Sequence, residues 1–250
     1  MTEKIDKYKV QAALVRSFFD AFSHGVIESQ MEDRNEKTTP QSVKKLMLEH
    51  YEHIAPAFFD TMFFPLAAMN YKYEDIAALA REAQQRGDDM MALVRTACGD
   101  EAYYNAMVEE YKRNFSMLLA GRYISNADHL EGYVRKAKEE TEASVDSDRA
   151  IELTVRVVMF AYVRGLRQTG EGARFDRSAH LRQVHPLRGA TLFRLMLDAM
   201  NILLLDEAVD FADAEAADLA SLFLKVCQTQ HNFTVMTNEM DRTYSELMKE

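Results

Sequence analysis

The chain has 250 residues, 48% hydrophobic and 28% charged, with 9 Gly, 4 Pro, 2 Cys and a net charge of -10. The apolar share excludes wholesale disorder, and so few Gly and Pro argue against a loop-heavy all-β domain. The acidic balance disfavours sequence-independent binding of nucleic acid through the whole surface.

In chain order, the first strong pattern lies between Ile5 and Ile27. Val10, Leu14, Phe18 and Phe22 recur four residues apart, which places them on one stripe of a helix. Glu32 to Gln41 is polar and reads as a connection, with Thr39 or Ser42 as the next cap. A second helix is expected to bury Val43, Met47, His50, Ile54 and Phe58. Pro56 and Pro65 inside that region predict a kink or two short helices.

Further helices are expected over Glu74–Gln85, Asp88–Ala97, Glu101–Leu119 and Asn126–Thr141. Gly87 and Gly99 stand where helix ends favour a residue tolerant of positive φ. Ala143 to Asp148 breaks the pattern. Ala150–Leu166 is apolar nearly all round and reads as a buried central helix, with Ala190–Val209 as a second one. The chain shows no evident internal repeat. In the final segment Leu219, Val226, Phe233, Met240 and Leu247 fall at heptad spacing, while Gln230 and Thr237 interrupt the companion positions. That pattern predicts one long helix that docks on the body or pairs with a second copy.

The segment Arg164–Arg194 differs in composition from the rest. It holds Arg164, Arg167, Arg174, Arg177, Arg182, Arg188 and Arg194 with no lysine, against only Glu171 and Asp176. It also holds Gly165, Gly170, Gly172 and Gly189 with His180 and His185. A guanidinium donates paired hydrogen bonds in a fixed fork that matches carboxylate or phosphate, and glycine lets backbone N–H groups approach an anion. Either an anion site or an internal clamp against the chain's own carboxylates follows. Phe175 and Phe193 are sparse stacking partners, so nucleic acid is not favoured.

Other motifs are weaker. Glu49, His50 and His53 share one helical turn and form a minimal metal-ligand set, but the Glu-x-x-His of di-iron bundles is missing. His50 lies on the apolar stripe, where a hydrogen-bonded core histidine is the ordinary reading. Haem ligation by His50, with Phe58, Phe59, Phe63 and Phe64 as a pocket, is the alternative. Arg174 to His180 and Arg122 to His129 loosely resemble the arginine–histidine ribonuclease motif of the all-helical HEPN family. That resemblance implies a histidine acid/base beside an arginine phosphate clamp; Phe175 and Tyr123 depart from the polar residue common after the arginine. Asp206, Glu207 and Asp210 resemble the aspartate-rich motif of isoprenoid synthases, without the second motif that family needs.

The two thiols, Cys98 and Cys227, are too few for a disulfide framework and fit a cytoplasmic protein. Residues 1–10 carry mixed charges and no apolar signal core, and no stretch approaches about 18 uncharged apolar residues. The expected fold is a single all-α globular domain over residues 1–250, of about eight to ten helices, with two buried central helices and a long C-terminal one. A subdivision into 1–143 and 149–250 is the alternative. The expected function is a non-catalytic regulatory or partner-binding protein, without cofactor, membrane contact or metal, self-associating through its last helix. Arg164, Arg167, Arg174, Arg177, His180, Arg182, His185 and Arg188 would contact an acidic partner or phosphorylated ligand. The alternatives are a metal-independent ribonuclease using Arg174 and His180, and a helical haem or metal sensor using His50.

Overall fold

The computed structural model describes residues 3–31, 40–120, 143–167, 190–205 and 219–249. Among them the protein is all-α apart from two strands of three residues. The order is β1 (Lys4–Asp6), α1 (Lys7–Met31), α2 (Pro40–Glu49), α3 (Tyr51–Asn70), α4 (Tyr73–Arg86), α5 (Met90–Ala97), α6 (Glu101–Leu119), β2 (Ser144–Asp146), α7 (Ser147–Arg167), α8 (Ala190–Leu204), α9 (Leu219–Cys227) and α10 (Gln230–Leu247).

Amphipathic periodicity explains most of these helices. Val10, Leu14, Phe18 and Phe22 are all fully buried, as their spacing requires. Asp6 starts α1 by accepting from Tyr8 N at 2.8 Å and Lys9 N at 3.1 Å. Asp89, Asp100 and Thr229 cap α5, α6 and α10 in the same manner. Gly87 (φ 74°) and Gly99 (φ 72°) adopt the left-handed conformation expected of them. The central helix α7 is buried almost throughout, as read from its composition.

Four expectations are corrected. The break after α2 falls at His50, while Pro56 and Pro65 both lie inside α3. Each proline removes one helical hydrogen bond, but the apolar side chains that α3 buries, Ile54, Phe58, Met62 and Leu66, hold the helix through both. Ala143 to Asp148 contains strand β2, which pairs antiparallel with β1 through Ile5↔Val145. The final segment is two helices, because Gln228 takes a positive φ of 63° between α9 and α10. The helix expected over Asn126–Thr141 lies outside the described residues.

The fourth correction concerns repetition: the two halves are versions of one unit. In β1–α1 and β2–α7, Asp6, Val15, Arg16, Ala21 and Gly25 are matched in order by Asp146, Val155, Arg156, Ala161 and Gly165. In α5–α6 and α9–α10, Leu93, Cys98, Met107, Glu110, Arg113, Ser116 and Leu118 are matched by Leu222, Cys227, Met236, Glu239, Arg242, Ser245 and Leu247. Even the left-handed Gly99 has its counterpart in the left-handed Gln228. Phe59 and Met62 of α3 likewise correspond to Phe193 and Met196 of α8.

The halves are related by a local two-fold axis. A Cβ on Gly25 would strike the Tyr162 carbonyl and lie 2.9 Å from Leu166 N and 3.0 Å from Gly165 Cα. A Cβ on Gly165 would strike the Phe22 carbonyl and lie 2.9 Å from Val26 N and 3.0 Å from Gly25 Cα. Contacts in which residue i meets j while i's counterpart meets j's counterpart are the signature of a two-fold. The β1–β2 pair obeys the same axis. The core therefore forms around α1 crossing α7, with α3, α6, α8 and α10 packed outside the pair.

Candidate functional site: two related clefts

The axis places one helix crossing on each side of the α1–α7 pair, α7 with α3 and α1 with α8. In the C-terminal cleft, α7 faces α3 around a pocket of about 150 Å³. Its apolar wall is Phe64, Pro65, Val157 and Phe160, and its polar groups are Asp60, Thr61, Arg156 and Arg164. The Arg156 guanidinium carbon lies 5.3 Å from the Phe64 ring centroid and 5.4 Å from that of Phe160, a cation–π arrangement on both rings. Behind it Arg156 donates to Glu246 at 2.8 Å and to Glu239 at 3.3 Å. Glu239, whose side chain is 3% exposed, also holds Arg242 at 2.6 Å and accepts from the Thr243 hydroxyl at 3.1 Å. Burial pulls the Arg156 pKa down, but the hydrogen bond and charge of Glu246, with Glu239, leave it above its ordinary value. At the rim Arg164 pairs with Asp60.

The N-terminal crossing, α1 packed on α8, is its counterpart with different chemistry. Arg16 replaces Arg156, Ser17 replaces Val157, Asp20 replaces Phe160 and His24 replaces Arg164 on the central helix. Across from them Arg194, Leu195 and Asp198 stand for Asp60, Thr61 and Phe64. Arg16 is 3% exposed, with Nε 3.9 Å from Asp20. Burial pushes the Asp20 carboxyl up to about 6; Arg16 opposes the rise and Asp198 adds to it. His24 Nδ1 is 2.8 Å from the Asp20 carbonyl oxygen. The Ser17 hydroxyl, on a residue 2% exposed, has no hydrogen-bond partner among the described residues. Glu110 repeats the Glu239 arrangement, bonding Arg113 and Asn114, and burial raises its pKa.

A raised carboxyl pKa fixes a sign. Above pH 6 Asp20 is ionised folded and unfolded, and its buried charge costs stability. As pH falls from 6 toward the ordinary value of 3.8, the folded state takes up the proton first and the cost disappears. Asp20→Asn should therefore raise stability at pH 7.5 by about 2 kcal/mol, and the gain should vanish near pH 4 in paired urea titrations.

Those of the residues singled out from the sequence that are described lie at separate places in the fold. Of the arginine-rich set, Arg164 lines the C-terminal cleft and is held by Asp60, while Arg167 and Arg194 are exposed at helix positions. Arg164 is thus already neutralised, as in the internal-clamp reading. Arg174, Arg177, His180, Arg182, His185 and Arg188 lie outside the described residues, as do Arg122, His129 and Asp206 to Asp210. His50 is 9% exposed at the α2–α3 break, and burial lowers its pKa with His53 adding to the effect. Glu49 pairs with Lys45 at 3.9 Å, and His53 is exposed. Among the described residues no three His, Cys, Asp or Glu side chains converge as a metal site. Of the expected haem-pocket aromatics, Phe58 and Phe59 meet edge to face at 5.3 Å and both pack on Tyr111, Phe58 also on Phe18 and Phe19, while Phe64 lines the pocket with Arg156.

On the final helix Met236, Met240 and Leu247 are buried in the protein's own core, and Phe233 packs against it. Cys98 and Cys227 are free and buried, each thiol pushed up to about 12 by burial. Sequence reasoning missed Arg16, Asp20, Asp60, Arg156, Asp198 and Glu239. The available signal was Arg156 amid Val155, Val157 and Val158, and Arg16 beside Val15, since a charge inside an apolar helix must have a buried partner.

No helix among the described residues is long and apolar enough to cross a membrane. Comparison with protein-family models, with curated proteins and with solved structures finds no match.

Proposed function

We propose that this is a non-catalytic binding protein whose C-terminal cleft seats a small, largely apolar ring-sized group. The arginine- and glycine-rich segment leaving its rim at Arg164 contacts an acidic partner or a phosphorylated ligand. The observation that carries this reading is the pocket itself, in which Phe64 and Phe160 flank a guanidinium already balanced by Glu239 and Glu246. A balanced interior favours an uncharged occupant, and about 150 Å³ matches cavities that take a benzene-sized ring. Arg164 joins the two parts, because it lines the pocket and opens the arginine-rich segment. Its pair with Asp60 is partly exposed, so an incoming carboxylate or phosphate competes there at little cost.

A cytosolic setting fits the two buried free thiols. Self-association through the last helix is not part of this reading, since that helix spends its apolar face on the core.

Phenol is a suitable probe. It should raise the melting temperature of the protein saturably, and Val157→Phe, which fills the pocket from α7, should abolish at least nine-tenths of that rise. An unchanged phenol response in Val157→Phe would remove the pocket from the account.

A further inference from the structure

Helix α3 runs through Pro65 at the wall of the C-terminal pocket. Proline has no backbone N–H, so the Thr61 carbonyl, four residues earlier, lacks its helical donor. Thr61 is 7% exposed and Pro65 is buried, and an acceptor left open at a buried position destabilises the folded state. Pro56 makes the same gap at the Glu52 carbonyl, but both of those residues are exposed and water fills it. The crossing does not require Pro65. The corresponding place in α8 is Ala199, 1% exposed, whose N–H serves the Leu195 carbonyl inside an unbroken helix. A local rule broken in one half and kept in the other marks a functional position.

The Thr61 side chain points the same way chemically. Its hydroxyl donates to the Ala57 carbonyl at 2.7 Å, so its oxygen has only lone pairs left to offer. A helical carbonyl points along the axis toward residue i+4. The Thr61 carbonyl oxygen therefore lies on the face shared by Thr61 and Pro65, and both residues line the pocket. Among the described residues no side chain donates to it. On the α7 side Arg156 and Arg164 supply N–H donors and no acceptor. The pocket thus sets open acceptors on α3 against guanidinium donors on α7.

We propose that the ring taken by this pocket is a hydroxylated aromatic, whose O–H donates to the Thr61 carbonyl while its lone pairs face Arg156 and Arg164. This assignment rests on the ring-binding reading of the pocket. A hydroxyl carries a donor and lone pairs on one atom, which suits both walls. A ring N–H donates but gives the guanidiniums nothing to bond, and a methyl or methoxy group gives the Thr61 carbonyl no donor. A ring-borne ammonium would bring a third cation beside Arg156 and Arg164. A phenolic hydroxyl also stays neutral at pH 7, as a balanced interior favours.

Phenol and toluene have nearly the same shape and differ by hydroxyl against methyl, so their comparison on the full chain is the test. The Val157 methyls report occupancy by NMR, and the Thr61 carbonyl carbon, read through the Met62 amide, reports the hydrogen bond. Phenol should bind at least about fivefold more tightly, although toluene is the more apolar molecule, and phenol alone should move the Thr61 resonance. Pro65→Ala returns an N–H to that carbonyl, and the preference for phenol should vanish or reverse while toluene still binds. A change in pocket size acts on both rings, so the ratio isolates the hydrogen bond. Toluene binding the wild type as tightly as phenol, a bound phenol that leaves Thr61 still, or a preference kept in Pro65→Ala would each overturn the hydroxyl assignment and leave ring binding standing. If neither ring moves the Val157 methyls, the ring-binding reading falls and this assignment falls with it. Should Pro65→Ala fail to fold, the two rings on the wild-type chain decide alone.

Discussion

Gly165→Ala should lower the unfolding free energy by about 3 kcal/mol, the upper range for overpacking a close contact, and depress the melting temperature by about 6–12 °C. The added Cβ meets backbone, not a movable side chain: the Phe22 carbonyl, then Val26 N at 2.9 Å and Gly25 Cα at 3.0 Å. Relief demands that α1 and α7 separate, and that opens the centre of the core. Gly25→Ala should cost about the same, because the axis gives it the mirrored neighbours Tyr162, Leu166 and Gly165. The double variant is the sharper case. Once the helices have separated for one methyl, part of the room for the other exists, so the two costs should sum to more than the double variant shows. Strict additivity by urea titration would mean that the glycines do not share one contact.

Arg156→Met should cost about 3 kcal/mol, while Arg95→Met should leave the unfolding free energy nearly unchanged. Arg156 is 16% exposed and faces Glu239, which is 3% exposed, so its removal strands a buried carboxylate with only the outer Arg242 and a hydroxyl. Methionine keeps much of the stem volume between Phe64 and Phe160, which isolates the loss of charge from the loss of packing. Arg95 and its partner Glu101 are 58% and 55% exposed, so water compensates the loss of that pair. Glu239→Gln in the Arg156→Met background should cost less than in the wild type, with a coupling of about 1–3 kcal/mol. Equal costs in both backgrounds would show that the two side chains act independently.

Periodicity made the helices legible. Val10, Leu14, Phe18 and Phe22 had to share a face, and Gly87 and Gly99 had to end helices, because each follows from local geometry alone. The tertiary features did not follow. Pro56 and Pro65 look like breaks, but the burial of Ile54, Phe58, Met62 and Leu66 outweighs two missing hydrogen bonds. The heptad from Val226 to Phe233 runs through Gln228, whose left-handed backbone divides the helix without any glycine to announce it. Strands of three residues are too short to alternate visibly.

The repeat stayed hidden because its retained residues are scattered and the connections between elements differ in length from half to half. Once Gly25 is seen against Gly165, the pairs Arg16 and Arg156, Cys98 and Cys227, and Glu110 and Glu239 fall into place. The clefts were illegible for a further reason. Their side chains come from α1 with α8 and from α7 with α3, elements far apart in sequence that only the two-fold crossing brings together. The arginine-rich segment drew notice by composition, yet its described contribution to a cleft is one guanidinium, Arg164, already held by Asp60.

The central claim is that one duplicated architecture carries different chemistry at its two crossings, with the ring-sized pocket at the C-terminal one. Methyl NMR on the intact protein tests it in a single sample series, with Val157 reporting on the C-terminal crossing and Leu195 on the N-terminal one. Phenol should shift the Val157 methyls saturably and leave those of Leu195 still. If phenol moves both sets of methyls alike, or neither, the pocket at the C-terminal crossing does not take the ring and the account is wrong.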